Sequence, residues 1–526
     1  MRTRIACVAL VAVVYSMANC QTGGEINDWP TAPLVGAAQG APPARIATLG
    51  PPIVPAPAFE SSEGIVVRDK PVQAAWEAKP LESCFAQEFI IDLVSAFRIA
   101  NVENPQIGLA EELVRANRAE QLVAKSLLFP TLNAGTTLSI HRGHFMEAAG
   151  DIIDVNRQSL YLGAGANVRS AGRVNIPGVY AVSHLGDAIF APRVAEQNVQ
   201  RSRFDAAATQ NSVLLDVARA YLGLVSAEAR LLALRQSAQE LAELAKVMTD
   251  LAAKGAGREA YAKRTQGELA LLRTTVYRVE EEAIARATEL ARLLSANSTV
   301  RLRPEPGTPP LVQLIDDHMG LEALLESAVA NRPEIAARSA EIALNETRLR
   351  QERIRPFVPT IAVGFSAGNF GGGSNLVDYR MNHFSSRTDL DIIAVWSLQN
   401  FGAGSRATQN GVRAQLVIAE AQRTQALDLV HREVTEAFTR ARTRKHQIDI
   451  AKRSVETAQQ AYRQDFQRTK DQLGKLVEVL SSFNLLVAAR QELIHAMVGY
   501  SQAQFELYVA LGGTPATVRI ENIEKR

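Results

Sequence analysis

Two hydrophobic periods alternate along this chain. Over Leu214-Leu215, Val217-Ala218, Tyr221-Leu222, Val225, Leu231-Leu232 and Leu234, apolar residues recur at steps of three and four with charges between them, the spacing of one helix face. No proline falls between Pro192 and Pro304 or between Pro359 and Pro515, and both stretches are rich in Ala, Leu, Glu, Arg and Gln. Each breaks once at a glycine-bearing turn, Lys254-Gly255-Ala256-Gly257 and Gln472-Leu473-Gly474. The pattern predicts two αα-hairpins, at about 192–298 and about 401–511. As one helix, the arm from Phe401 to Leu473 would be about 110 Å long at 1.5 Å per residue. No compact domain holds such an arm, so the hairpins are expected to pack as coiled coils.

Upstream of each hairpin the period changes to two. Leu132, Ala134, Thr136, Leu138 and Ile140 alternate with polar or small residues, as do Leu160, Leu162, Ala164, Ala166 and Val168. The same holds for Ile361, Val363, Phe365 and Ala367, and for Leu390, Ile392, Ala394, Trp396 and Leu398. Four strands with one apolar face each follow, at about 131–141, 158–170, 360–369 and 388–398. Strands of about ten residues with one lipid-like and one polar face suit a membrane β-barrel, which must close because lipid cannot satisfy an open sheet edge. Four strands cannot close around a pore. Three copies would give twelve.

The halves repeat one another. Ala100-Asn101-Val102-Glu103-Asn104-Pro105-Gln106-Ile107 matches Ala328-Val329-Ala330-Asn331-Arg332-Pro333-Glu334-Ile335. Phe129-Pro130-Thr131-Leu132 matches Val358-Pro359-Thr360-Ile361, and Val217-Ala218-Arg219-Ala220-Tyr221 matches Val434-Thr435-Glu436-Ala437-Phe438. The expected division is a first repeat at 81–304, a second at 305–514 and a short tail at 515–526.

The first residues change the compartment. Arg2 and Arg4, the apolar run Ile5–Tyr15 and the small-residue stretch before Cys20 form a secretory signal over 1–20, too short for a spanning helix. Residues 21–80, rich in Pro, Ala and Gly, read as a flexible extension. Three cysteines, Cys7 among them in the signal, are too few for a disulfide framework. Cys20 sits where a bacterial lipobox would place an acylated cysteine, although Ser16-Met17-Ala18 equally suits ordinary signal cleavage. With 57 basic and 55 acidic residues, net charge is +2, which gives no basic footprint for nucleic acid.

From Glu82 to Gly513 the chain resembles the TolC family of outer-membrane efflux proteins. The resemblance rests on Ala100-x-x-x-Asn104-Pro105, Ala328-x-x-Asn331-Arg332-Pro333-Glu334, the Pro-Thr strand starts at Pro130 and Pro359, Phe401-Gly402, and Tyr508-Val509-Ala510-Leu511-Gly512-Gly513. It implies a mainly α protein with a membrane β-barrel, a homotrimer whose twelve strands form a pore in outer-membrane lipid and whose hairpins continue it as a periplasmic tunnel. It also implies a periplasmic adaptor and an inner-membrane pump as partners, with no cofactor. The family's acidic aperture maps onto Leu476-Val477-Glu478-Val479-Leu480-Ser481-Ser482, with Glu478 on one frequent acidic position and Ser481 where Asp is common; the first hairpin carries Tyr261 and Arg264 there. A carboxylate at Glu478 is equally a favourable charge in the first turn of a helix.

Other signals carry less. His141 and His144 lack a third ligand, and Gly371-Gly372-Gly373 and Gly402-Ala403-Gly404 lack the rest of a phosphate loop. No nucleophile, base or paired-carboxylate set points to an enzyme. The rival reading is a periplasmic coiled-coil adaptor or scaffold. It needs neither the four alternating segments nor the aromatic residues beside them, Phe365, Tyr379 and Trp396, which suit a lipid interface.

Overall fold

Two helices of 69 and 68 residues dominate the molecule, a computed structural model. It describes residues 87–517 except 130, 133–134, 169–173, 178, 256, 298, 306, 308 and 472–474, and side chains outside 131–137, 164–183, 378–383 and 399. The signal and extension at 1–80, Cys20, the turn residue Gly474, the strand start at Pro130 and the tail beyond 517 lie outside the described residues.

Helices α1 (Leu93–Glu103) and α2 (Pro105–Ser126) precede the first strands; α3 (Leu185–Ala253) and α4 (Glu259–Leu293) form the first long hairpin. Helices α5 (Leu321–Asn331), α6 (Pro333–Ile354), α7 (Ala403–Lys470) and α8 (Leu476–Ala510) repeat that order. At 1.5 Å per residue, α3 and α7 are each about 100 Å long. Each long helix runs beside two shorter ones stacked end to end, and the prolines explain where the stack is cut. A residue before proline is disfavoured in helical ψ; Asn104 and Arg332 are extended, both at ψ 123, and Pro105 and Pro333 open new helices. The Asn104 side chain accepts from the N–H of Gln106 (2.9 Å) and donates to the carbonyl of Leu293, the last residue of α4 (2.8 Å). Arg332 donates through Nε to the carbonyl of Ala510, the last residue of α8 (2.9 Å), and its Nη2 forms an ion pair with Glu433 on α7 (2.6 Å). In both halves the residue before the proline therefore ties a helix start to a helix end.

The buried face of α3, from Leu214 through Val217, Leu222 and Leu224, meets α1, α4 and the α8 residue Phe505, whose ring stands edge-on to Phe97 at 5.8 Å. A second core lies near the hairpin tips, where Leu241, Leu244 and Met248 of α3 meet Tyr462 of α7 and Leu476, Val479, Leu480 and Phe483 of α8.

Strands β1 (Gln87–Ile91), β2 (Thr131–Leu132), β3 (Gly135–Met146), β4 (Ile152–Val168), β5 (Val174–Pro177), β6 (Val179–His184), β7 (Val300–Pro304), β8 (Thr360–Ser374) and β9 (Asp378–Val395) form two sheets. β1 and β7 pair in parallel beside the helices. In the larger sheet β3, β4, β8 and β9 are successive antiparallel neighbours, β6 pairs with β8 and β2 with β6, and β5 pairs with β4. The four long strands have 12, 17, 15 and 18 residues, more than their alternating apolar segments, because ladder hydrogen bonds continue where the strict alternation of apolar and polar residues stops. β9 ends at Val395, so Trp396 and Leu398 stand just beyond it. At the far end the two hairpins are stapled by Asn375, which accepts from the N–H of Asn156 (2.8 Å) and donates to the carbonyl of Asp154 (3.0 Å).

Candidate functional site

The register puts the apolar positions of the large sheet on one face. Val363 stands opposite Ile392, Phe365 opposite Leu390 and Leu138 opposite Leu160, while Leu162 stands opposite Asn369 of β8. In one protomer these side chains are open: Leu138 is 59%, Ile140 58% and Ile392 52% exposed. Contiguous exposed apolar surface of this kind marks a partner or a membrane. At the helix end of the sheet stand Phe129, Phe357, Trp396 and Phe401, each more than 60% exposed. The side chain of Tyr379 lies outside the described residues.

The opposite face is polar. Ser366 is buried and donates to Asp389 (3.3 Å), which also accepts from Arg387 (2.9 Å), and the Arg387 guanidinium lies over the Phe370 ring at 5.6 Å. Tyr161, on the same face, is 2% exposed and lies across Gly368, where an added Cβ would meet its ring at 2.8 Å and the Leu162 carbonyl at 2.5 Å. On the apolar face the Phe384 ring covers Gly371 in the same way. The triple glycine is thus strand backbone under an aromatic ring, and Gly402, at φ +88, is the left-handed turn into α7. His141 and His144, three residues apart on a strand, project from opposite faces and cannot share an ion. Among the described residues no group of three or more His, Cys, Asp or Glu is placed to hold a metal. Among them, too, no helix is long and apolar enough to cross a membrane.

At the tip, α8 starts with Lys475 extended and Glu478 in its first turn, and the Glu478 carboxylate accepts from the N–H of Lys475 (3.4 Å). Glu478 and Ser481 are both exposed on one side of α8, followed on that side by Leu485, while Leu476, Val479, Leu480 and Phe483 fill the tip core. Tyr462 packs there against Phe483 at 5.5 Å, and burial pushes its phenol up to about 12. In the first hairpin Tyr261 lies under the Arg258 guanidinium at 5.8 Å, and Arg264 is exposed. Three ion pairs that the pattern of apolar residues did not reveal lie farther from the tip, two joining the hairpins and one, Arg440 to Glu506, within the second. Arg490 of α8 grips Glu240 of α3 with two hydrogen bonds of 2.9 Å, and Glu506 of α8 is held by Arg219 of α3 and Arg440 of α7.

The site is thus a sheet with one apolar and one polar face, carried on hairpins about 100 Å long. Residues 324–513 match the family model described as outer membrane efflux protein. The fold is that of solved outer-membrane proteins. A membrane protein from Pseudomonas aeruginosa is 18% identical, with TM-score 0.67, covering 81% of this chain and 94% of its own. The Campylobacter jejuni CmeC outer membrane channel is 14% identical, with TM-score 0.65, covering 82% and 87%. The open-state Neisseria gonorrhoeae MtrE outer membrane channel is 16% identical, with TM-score 0.59, covering 82% and 95%. No curated protein matches the chain in sequence.

Proposed function

We propose that three copies of this chain close one twelve-stranded barrel in the outer membrane and continue it as a helical tunnel through the periplasm, a passive conduit from an inner-membrane pump and its adaptor to the cell exterior. The single observation that carries the reading is the sheet with opposed faces. Val363, Phe365, Leu390 and Ile392 share the open apolar face, and Ser366, Arg387 and Asp389 share the other. Lipid tolerates the first, and a water-filled lumen suits the second. The sheet edges at β3 and β9 are the places where a neighbouring copy would pair, since an open edge is not stable in lipid. A periplasmic adaptor or scaffold has no use for such a sheet. The solved channels that share the fold, CmeC and MtrE, are outer membrane channels by name, which agrees with this assignment.

In this reading residues 1–20 direct export and Cys20 carries an acyl anchor, while Glu478 and Ser481 face the tunnel axis at the periplasmic tip. The decisive experiment is extraction from outer membranes. A heat-resistant oligomer of three chains that forms conducting pores in planar bilayers is expected, and a soluble monomer would overturn the assignment. For the anchor, Cys20→Ser is expected to abolish acylation in mass spectra of the mature N-terminus without preventing barrel formation, because the closed barrel inserts by itself. A free Asn19 at that terminus would end the lipoprotein reading.

A further inference from the structure

The two helices that lead into the barrel, α2 and α6, have the same length of 22 residues and start at equivalent prolines. Counting from those prolines, Lys125 of the first falls on Arg353 of the second, and Phe129 falls on Phe357. All four side chains are exposed, Phe129 at 76% and Phe357 at 79%. In both halves, therefore, an exposed cation stands one helical turn before an exposed aromatic ring, directly where the chain turns into the sheet. On α6 the same side also carries Arg350 and Ile354, at three- and four-residue steps. The acids nearby are largely engaged. Glu352 and Asp187 pair with Arg355 (3.0 and 2.7 Å), and Glu346 stands 3.9 Å from Arg350. Lys125 and Arg353 make no ion pair among the described residues.

On the reading of the sheet as a membrane barrel, which this inference rests on, Phe129 and Phe357 lie level with the interface and the cations one turn farther out. An aromatic ring prefers the headgroup boundary, and a cation just outside it meets the phosphate layer. A membrane-facing role explains why the arrangement occurs twice, whereas a solvated helix end needs no aromatic residue beside its cation. We propose that Lys125 and Arg353 bind the phosphates of anionic phospholipids in the periplasm-facing leaflet, so that the trimer carries a collar of six such contacts at the base of its barrel.

The test is native mass spectrometry of the full-length protein, purified in detergent and titrated with phosphatidylglycerol or phosphatidylcholine. Wild type should retain phosphatidylglycerol in preference. The double variant Lys125→Gln/Arg353→Gln should lose that preference by about fivefold per removed charge, while Arg463→Gln, an exposed cation far along α7, should keep it. Planar-bilayer conductance of the same samples separates the two readings. Pores with no lipid preference in wild type, or a preference unchanged in the double variant, overturn the collar and leave the channel standing. A wild type that forms neither oligomer nor pore overturns both. Loss of sedimentation with peptidoglycan in the double variant, with the lipid preference intact, assigns the cations to the cell wall and likewise overturns the collar.

Discussion

Arg332 and Asn104 occupy the same place in the two halves, yet they solve the same problem with different strength. Each stands before a helix-opening proline and satisfies a carbonyl at the end of a returning helix, Leu293 for Asn104 and Ala510 for Arg332. Asn104 does so with neutral hydrogen bonds. Arg332 is 8% exposed and adds an ion pair with Glu433, so truncating it strands a carboxylate as well as a carbonyl. Glu433 is more than a third exposed, and water would recover part of that loss. Arg332→Ala should therefore cost about 2 to 3 kcal/mol and Asn104→Ala about 1 kcal/mol. Thermal unfolding of the purified protein reads both, and Arg332→Lys should fall between wild type and Ala because it keeps charge without the two-pronged geometry. Gly512 beside this junction has no substitute. Its φ is +87, and an added Cβ would lie 2.6 Å from the Asn331 carbonyl. Gly368 is constrained by packing alone, and Gly368→Ala should cost about 1 to 3 kcal/mol by displacing Tyr161 and the Leu162 carbonyl.

For a strand, the test is which face meets lipid. Arg at mid-bilayer depth on a barrel exterior costs roughly 2 to 4 kcal/mol. Val363→Arg or Ile392→Arg, on the open apolar face, should abolish the proposed heat-resistant oligomer, in which three copies would compound the loss. Ala362→Arg, one residue away and on the face of Ser366, should be milder. Equal loss from both would show that the faces are reversed. This alternation was legible in the sequence because Val363, Phe365, Leu390 and Ile392 leave a period of two that helix sequences do not produce. The stretches Arg142–Met146, Ile152–Gln158 and Asp378–Arg387 were not legible as strand, since apolar and polar residues mix on their faces and leave no clear period, while pairing with a neighbour keeps them extended. The short strands β1 and β7 were missed for a related reason. Five residues each are too few for a pattern, and their pairing joins positions more than 200 residues apart. The long hairpins were legible from their apolar spacing and the absence of proline. The charged ties between them, Arg490 to Glu240 and Glu506 to Arg219, were not, because a single Arg and a single Glu on distant helices carry no local signal.

At the scale of the whole molecule the open question is what Glu478 does, and the tip geometry supplies a way to ask it. The carboxylate accepts from the N–H of Lys475 at the start of α8, which is the ordinary work of a Glu in the first turn of a helix. It is also exposed on the same side of α8 as Ser481, where a trimer axis would pass if the inner hairpin lines the tunnel. The two roles separate chemically, because Gln can accept the same hydrogen bond but carries no charge. Glu478→Gln should therefore leave the helix start nearly intact, at a cost of a few tenths of a kcal/mol from the lost interaction with the helix dipole. If three carboxylates ring the aperture they favour cations, as charged constrictions do. Glu478→Gln should then reduce cation preference in planar-bilayer recordings, Glu478→Lys should invert or strongly reduce it, and Ser481→Asp should raise it and strengthen block by multivalent cations. Two anchored levels bear on how such a gate moves. Arg490 and Glu506 tie α8 to α3, while the segment before Arg490, from Leu476 to Ala489, meets α3 through apolar packing alone among the described contacts. Ion selectivity unchanged in both Glu478 variants would assign the residue to the helix start alone and leave the channel architecture untouched.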